Sequence, residues 1–233
     1  MFQNRFKNKK ILVTAGATRE TLDNGRYISN YDSGKEGYAI AEALLREGAR
    51  VVLVSAPVNI QLGHPRLHLV KVTTAREMDL ACCQYYESID IAIFAASVAG
   101  YRPVSPLMNG SVWNVRMVEN TDIAYEFGKV KTDRQVSIGF VKPGTHASGQ
   151  TTAKLIKKNL DMIIVRPSKT EDVPAGRGRT MTMVKSDLSF SSYPVGNKAD
   201  FTTSILAGIL ELTADKDSYD ELTELALYET MYQ

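Results

Sequence analysis

Residues 9–55 read KKILVTAGATRETLDNGRYISNYDSGKEGYAIAEALLREGARVVLVS, and the reading of this stretch decides the fold. The run Ile11–Val13 is short, apolar and largely β-branched, and Gly16 follows closely; it predicts a buried strand. Ala15 to Asp32 is polar and irregular and predicts a long loop. Ser33-Gly34-Lys35 then precedes YAIAEALLREGA, in which Ile40, Ala41, Ala43 and Leu44 recur at helical spacing and Gly48 supplies the stop. Val51–Ser55 predicts a second buried strand. Strand, helix and strand in this order, with both strands apolar throughout, are the unit of a parallel sheet covered on both faces.

The same alternation continues outward. HLVKV predicts a strand, Thr73–Tyr86 a helix, Ile89–Ala96 a buried strand and Val112–Val118 a further strand. Thr121 is placed to cap the helix DIAYEFGKV. Val136–Phe140 predicts a strand, TTAKLIKKNL a helix and Asp161–Val165 a strand. The right-handed crossover rule makes this a Rossmann-like, doubly wound α/β fold with a mostly parallel sheet and helices on both faces. TMTMVKS and LSFSSYP alternate around Ser186-Asp187 and predict a small β-hairpin excursion within residues 167–196. FTTSILAGILEL predicts a last amphipathic helix that packs back on the sheet. Residues 213–233 carry six acids and one lysine, an acidic tail with room for a short helix at Leu222–Leu227. No linker divides residues 1–233, so a single α/β domain is expected.

The charge balance removes several classes of partner. Lys and Arg total 28 and Asp and Glu 26, a net charge of +2, which gives no electrostatic reason for nucleic acid or an anionic membrane. No apolar run approaches the ~20 residues of a membrane span. MFQNRFKNKK lacks the apolar core of a signal peptide, so a cytoplasmic location is expected. The two cysteines, Cys82 and Cys83, are adjacent and lack metal-ligand spacing; they read as packing residues on a helix. His64 and His68 flank Pro65 in a non-helical segment and read as polar loop and strand edge, and His146 stands alone. No metal site is expected.

In an open parallel sheet, ligands bind beyond the carboxyl ends of the strands, near a switch point. Three segments end there in small residues: Thr14–Thr18 with Gly16, Phe94–Gly100, and Gly139-Phe140. A dinucleotide reading wants G-x-G-x-x-G after the first strand and an acid after the second. The turn here is AGATRE and the second strand ends Ser55-Ala56-Pro57, so a nicotinamide oxidoreductase rests on fold analogy alone. Ser33-Gly34-Lys35-Glu36-Gly37 is not a Walker loop. It opens a helix, where unpaired N–H groups and the helix dipole favour a phosphate or carboxylate; the other reading is that Ser33 is a simple N-cap and Lys35 a solvated side chain. Lys154 and Lys158 lie four apart on one helix face, which is either a solvated face or a pair that meets phosphate oxygens.

KKILVTAGATRE…GRYISNYDSGKEGYAIAEALLREGARVVLVSAPV resembles the opening of the phosphopantothenoylcysteine synthetase (phosphopantothenate–cysteine ligase) family of coenzyme A biosynthesis. TTAREM, AASVAGYRP, NTDIA, the strand ending in GF, and KLIKKNLDMIIV match in order. The likeness covers about residues 9–166, with a looser fit to residue 212. It implies CTP (or ATP) with Mg2+ as cofactors, and 4′-phosphopantothenate and cysteine as substrates. The phosphopantothenate carboxylate is activated as an acyl-nucleotide and then taken by the cysteine amine. By position it implies that Asn30 meets the acyl intermediate and that Lys35 acts with it, with Ser33 and Gly34 at the phosphate-binding helix start. Gly16, Phe94, Ala95, Ala96, Thr121, Asp122, Ile123, Ala124 and Phe140 would line the nucleotide, and Lys154 and Lys158 would neutralise phosphates. A homodimer is implied, with residues 167–196 as a strand-rich arm.

The sequence also departs from the family pattern. The family reads AADYRP or ADFRP where this chain has Gly100 in AGYRP, and a lysine-bearing flap where it has VSPLMNGSVWNV. GFVKPG stands for GFAAET, Val165-Arg166-Pro167 for A-N-D, and AGRGRTMTM for a glycine-rich stretch; Arg177 or Arg179 are candidates for a replacement cation. These departures set a second expectation beside the ligase, a nucleotide- or phosphopantothenate-binding homologue with impaired catalysis.

Overall fold

The structure, a computed structural model, describes residues 4–105, 114–141, 149–166, 180–197 and 199–214. His146, Arg177, Arg179 and the tail helix predicted at Leu222–Leu227 lie outside the described residues. Strand β1 (Lys10–Ala15) leads through a hairpin, β2 (Arg19–Thr21) and β3 (Tyr27–Ser29), to α1 (Lys35–Arg46), β4 (Arg50–Ser55) and β5 (Leu67–Lys71). Then come α2 (Ala75–Cys83), a 3-10 turn (Tyr86–Ser88), β6 (Ile91–Phe94), β7 (Tyr101–Pro103), β8 (Met117–Glu119), α3 (Ile123–Val130) and β9 (Val136–Val141). The described chain closes with α4 (Gln150–Lys157), β10 (Met162–Val165), β11 (Thr180–Lys185), β12 (Phe190–Pro194) and a helix over residues 199–214, here α5.

The main sheet has eight strands in the order β12-β11-β10-β9-β6-β1-β4-β5. From β10 to β5 every pairing is parallel. The order reverses between β1 and β6, and that is the topological switch point. The hairpin predicted around Ser186-Asp187 does not project. β11 pairs antiparallel with β10, and β12 with β11, so it forms the antiparallel edge of the main sheet.

Both faces of the sheet are covered, which is why its central strands are apolar at consecutive positions rather than alternating. On one face Ile11, Val13, Ile93, Ile138, Met162, Met181 and Met183 pack against α1 and α5. The predicted last helix supplies Phe201, Ile205, Ile209 and Leu212, spaced by three or four and buried. On the other face Leu12, Ala92, Phe94 and Ile163 pack against α2, α3 and α4 through Met78, Phe127 and Leu155.

The segment Ala15–Asp32, read from sequence as a loop, contains the β2–β3 hairpin. Asp23 builds its turn by accepting the N–H groups of Gly25 and Arg26 at 2.9 and 2.8 Å. Its three-residue strands are too short and too polar for a period-two signal. Arg19 lies over the Tyr27 ring at 4.6 Å, and buried Glu20 accepts the Ala75 N–H at 2.8 Å, tying the hairpin to the start of α2. Two capping expectations are corrected. The cap of α3 is Asp122, not Thr121, because the Asp122 carboxylate takes the Tyr125 N–H at 3.2 Å. The cap of α1 is Gly34, not Ser33, and its N–H donates to the Asp32 carboxylate at 2.7 Å. Of the predicted strand Val112–Val118, residues 112 and 113 lie outside the described set, and pairing starts only at Met117.

Candidate active site

A cavity of about 570 Å³ opens at the carboxyl edge of the sheet, beside the switch point. That volume is in the range that holds a small organic ligand. The loop after β6 forms its floor, and polar side chains on both sides fix that loop. Thr14 Oγ1 accepts the Ala96 N–H at 3.1 Å and Thr18 Oγ1 the Ala99 N–H at 2.8 Å. The Gly16 carbonyl accepts the Ser97 N–H at 2.8 Å. From the other side Asn120 Nδ2 donates to the Ala99 carbonyl at 2.9 Å, and Arg102 holds Asn120 Oδ1 at 2.9 Å. With its backbone groups so occupied, the loop is a preorganised surface rather than a mobile one.

Asn30 comes from the end of β3. Its Nδ2 donates to the carbonyls of Ser97 and Val98 at 3.3 and 3.0 Å. Two carbonyl acceptors fix the orientation of the amide, so Oδ1 is the prong left for a ligand, and it can only accept. Phe94, Ala96, Thr121, Asp122, Ile123, Ala124, Phe140, Lys154 and Lys158 also line the cavity. Lys158 pairs with Asp122 at 2.9 Å, across from α4 to the cap of α3. Lys154 is exposed at the cavity, whereas Lys157 of the same cluster turns to the Tyr125 ring at 5.8 Å.

Five residues singled out from the sequence do not line this cavity: Gly16, Ser33, Gly34, Lys35 and Ala95. Ser33 and Lys35 are exposed, and Gly34 is buried against the loop after β1. Gly16 and Gly34 both have φ in the left-handed region, +79° and +73°. A Cβ on Gly34 would stand 3.2 Å from the Gly16 backbone and 2.6 Å from the Val58 side chain. Close approach of two chain segments, rather than room for a ligand, requires these glycines.

Local pattern missed several lining residues, among them Asn120, Glu119 and Arg166. Asn120 and Glu119 come from β8 and the turn beyond it. Arg166 stands at the carboxyl end of β10, in the place read from sequence only as a departure from A-N-D. The one signal available for it was position, a cation just after a buried parallel strand.

Other chemistry-bearing groups are accounted for by packing. Burial and the neighbouring Asp79 push the Cys82 thiol up, away from the thiolate. His68 meets the Tyr85 hydroxyl at 2.9 Å. Among the described residues no group of three or more His, Cys, Asp or Glu could hold a metal ion, and no helix is long and apolar enough to cross a membrane.

The family pattern of the DNA/pantothenate metabolism flavoprotein C-terminal domain matches residues 6–212. The chain belongs to this family. The resemblance read from the sequence is thereby borne out at family level. A crystal structure of the C-terminal domain of the coenzyme A biosynthesis bifunctional protein CoaBC superposes on this member of the family with a TM-score of 0.79. It has 33% identity and covers 91% of this chain and 100% of that one. The whole bifunctional protein CoaBC of Escherichia coli (strain K12) is 40% identical over 168 residues, 69% of this chain and 41% of that protein. A cysteine/cysteine sulfinic acid decarboxylase of an unknown prokaryotic organism is 34% identical over 214 residues, 88% of this chain and 58% of that protein. This family member thus spans about half the length of the curated relatives it matches.

Proposed function

We propose that the chain is a nucleotide-dependent phosphopantothenate–cysteine ligase, acting on 4′-phosphopantothenate and cysteine with CTP in the cytoplasm. The observation that carries this reading is the cavity at the carboxyl edge, where Asn30, Phe140, Lys154 and Lys158 converge. The carboxylate oxygen of phosphopantothenate attacks the α-phosphorus, the bond to pyrophosphate breaks, and an acyl-nucleotide results. The cysteine nitrogen then attacks the acyl carbon, the C–O bond to CMP breaks, and the amine gives up its proton. Both steps need anionic and reactive groups held together and neutralised, which is positioning plus electrostatics. Lys154 and Lys158 supply positive charge at the phosphates. The ring of Phe140 offers a face to base or ribose. Asn30 Oδ1, an acceptor anchored on the loop, orients an N–H of the incoming amine.

Mg2+ takes one or two carboxylates plus phosphate oxygens and keeps several waters. The cavity fits that pattern: Asp122 is tied to Lys158, and Glu119 meets the Tyr101 hydroxyl at 3.3 Å. Glu119 would hold the ion, which supplies further neutralisation of the triphosphate.

A second copy of the chain is part of the proposal. Tyr27, Ile28 and Tyr31 on one hairpin, and Tyr101, Val104, Met117 and Val118 on the β7–β8 pair, are large apolar side chains exposed together near the site. A homodimer would cover them.

Purified protein given CTP, Mg2+, phosphopantothenate and cysteine releases pyrophosphate and CMP in equal amounts on this reading. Tight CTP binding with no product would instead favour the impaired homologue. The Gly100 departure provides a graded check. A Cβ at Gly100 meets nothing within 4 Å, so Gly100→Asp fits without strain. If an aspartate at this place contacts the nucleotide, KM for CTP falls about tenfold, the worth of one charge-assisted hydrogen bond. An unchanged KM would show that nothing at this place reads the nucleotide.

A further inference from the structure

The guanidinium of Arg166 is the most heavily engaged cation in the cavity wall. Its Nη2 donates to the Ala95 carbonyl at 2.8 Å, and its plane lies over the Phe140 ring at 5.4 Å. Nε stands 2.6 Å from the Glu36 carboxylate, yet its N–H is not aimed at an acceptor, so the contact is coulombic rather than a hydrogen bond. Nη1 is 3.7 Å from Asp32 Oδ2, beyond hydrogen-bond reach, while Oδ1 of that carboxylate accepts the Gly34 N–H. An arginine side chain only 14% exposed, with a buried donor unsatisfied, has capacity left for an anion with planar or tetrahedral oxygens. Glu36, at 38% exposure in the first turn of α1, has room to rotate towards water.

We propose that Arg166 is an anion-binding, specificity-determining residue of this cavity, exchanging its Glu36 partner for a phosphate oxygen of the bound nucleotide. It supplies the cation that the sequence lacks in its flap, from a strand end instead of a loop. The exchange also couples the site to the start of α1, since the helix turn at Ser33–Glu36 loses its tie to β10 when ligand binds. The helix start thus takes part in binding through Glu36 and not by facing the cavity. This inference rests on the nucleotide reading above, but it is tested by binding alone.

Calorimetric titration with CTP–Mg2+, and separately with inorganic tripolyphosphate, separates the outcomes. Arg166→Gln should weaken both ligands about tenfold, as loss of a charge-assisted contact does. Arg166→Lys should recover part of that loss. Glu36→Gln, which removes the competitor, should tighten both ligands roughly two- to fivefold, the span of a half-exposed ion pair. If Arg166 is only a brace between α1 and the sheet, Glu36→Gln weakens binding together with Arg166→Gln, and the inference is overturned. Unchanged affinity in Arg166→Gln overturns it equally. Should wild-type protein bind tripolyphosphate through Arg166 yet turn over nothing, the ligase reading fails while this one stands. Normal turnover of Arg166→Gln with an unaltered KM for CTP does the reverse: the ligase reading stands and the role of Arg166 falls.

Discussion

Asn30→Ala lowers kcat for ligation by about 10²–10³-fold, the usual cost of losing one preorganised polar contact to the reacting group. Nucleotide affinity changes little if, as proposed, the residue faces the acyl group rather than the triphosphate. Two effects combine. Alanine removes Oδ1, the acceptor proposed to orient the amine. It also removes the Nδ2 bonds to the Ser97 and Val98 carbonyls, which hold the floor of the cavity. The floor keeps its ties to Thr14 and Thr18, so the variant still folds. The check is a split reading: kcat from pyrophosphate release, and Kd for CTP from calorimetry. A fall in CTP affinity as large as the fall in kcat would mean that Asn30 serves the nucleotide or the fold instead.

The largest effect on stability is expected at an ion pair that does not itself line that cavity. Lys131, beyond α3, places Nζ 2.7 Å from Asp161 Oδ2 and 2.7 Å from the Asn159 carbonyl. Asp161 also accepts the Ser137 N–H at 2.7 Å, so the carboxylate binds the loop before β10 to the start of β9. The two side chains are 7% and 10% exposed. Removing one partner of a buried pair leaves the other charge uncompensated. Lys131→Met should therefore cost about 3–5 kcal/mol. A domain's whole stability is only about 5–15 kcal/mol. Urea titration reads this as a lower midpoint at an unchanged slope. The double variant Lys131→Met with Asp161→Leu should regain much of the loss, because no lone charge then remains buried. A loss below about 1 kcal/mol in the single variant would place the pair among those that water screens effectively.

Much of the fold was legible because the physics that builds it is local and periodic. Ile11–Val13, Val51–Val54 and Ile91–Phe94 had to be apolar at consecutive positions to be buried on both faces, and the sequence displays that directly. The helices α1 and α5 carry their buried stripes at helical spacing for the same reason. The β2–β3 hairpin was not legible. It depends on one carboxylate, Asp23, closing a turn, and on Glu20 reaching Ala75, 55 residues away in sequence. The cap of α3 shifted from Thr121 to Asp122 because Asp122 answers both the helix end and Lys158, a tertiary demand.

The site divides along similar lines. Residues at the ends of parallel strands, such as Phe94 and Phe140, could be placed from topology alone; Lys154 was open between a solvated face and a phosphate contact until the resemblance gave it a role. Ser33, Gly34 and Lys35 could not, because a helix start says nothing about which way it faces once another segment packs on it. Here the glycine pair Gly16 and Gly34 brings the loop after β1 against that turn. The role of Arg166 was not legible in the sequence because it lies in partners from three other segments: the start of α1 with Asp32 and Glu36, the loop after β6 with Ala95, and β9 with Phe140.

The central claim is that this cavity activates a carboxylate with a nucleotide. Positional exchange of labelled pyrophosphate into CTP, measured with phosphopantothenate present and cysteine left out, isolates that step. The expected exchange requires phosphopantothenate and Mg2+, proceeds without cysteine, and is lost in Lys154→Gln with Lys158→Gln. Well-folded protein that binds CTP but shows no phosphopantothenate-dependent exchange would contradict it.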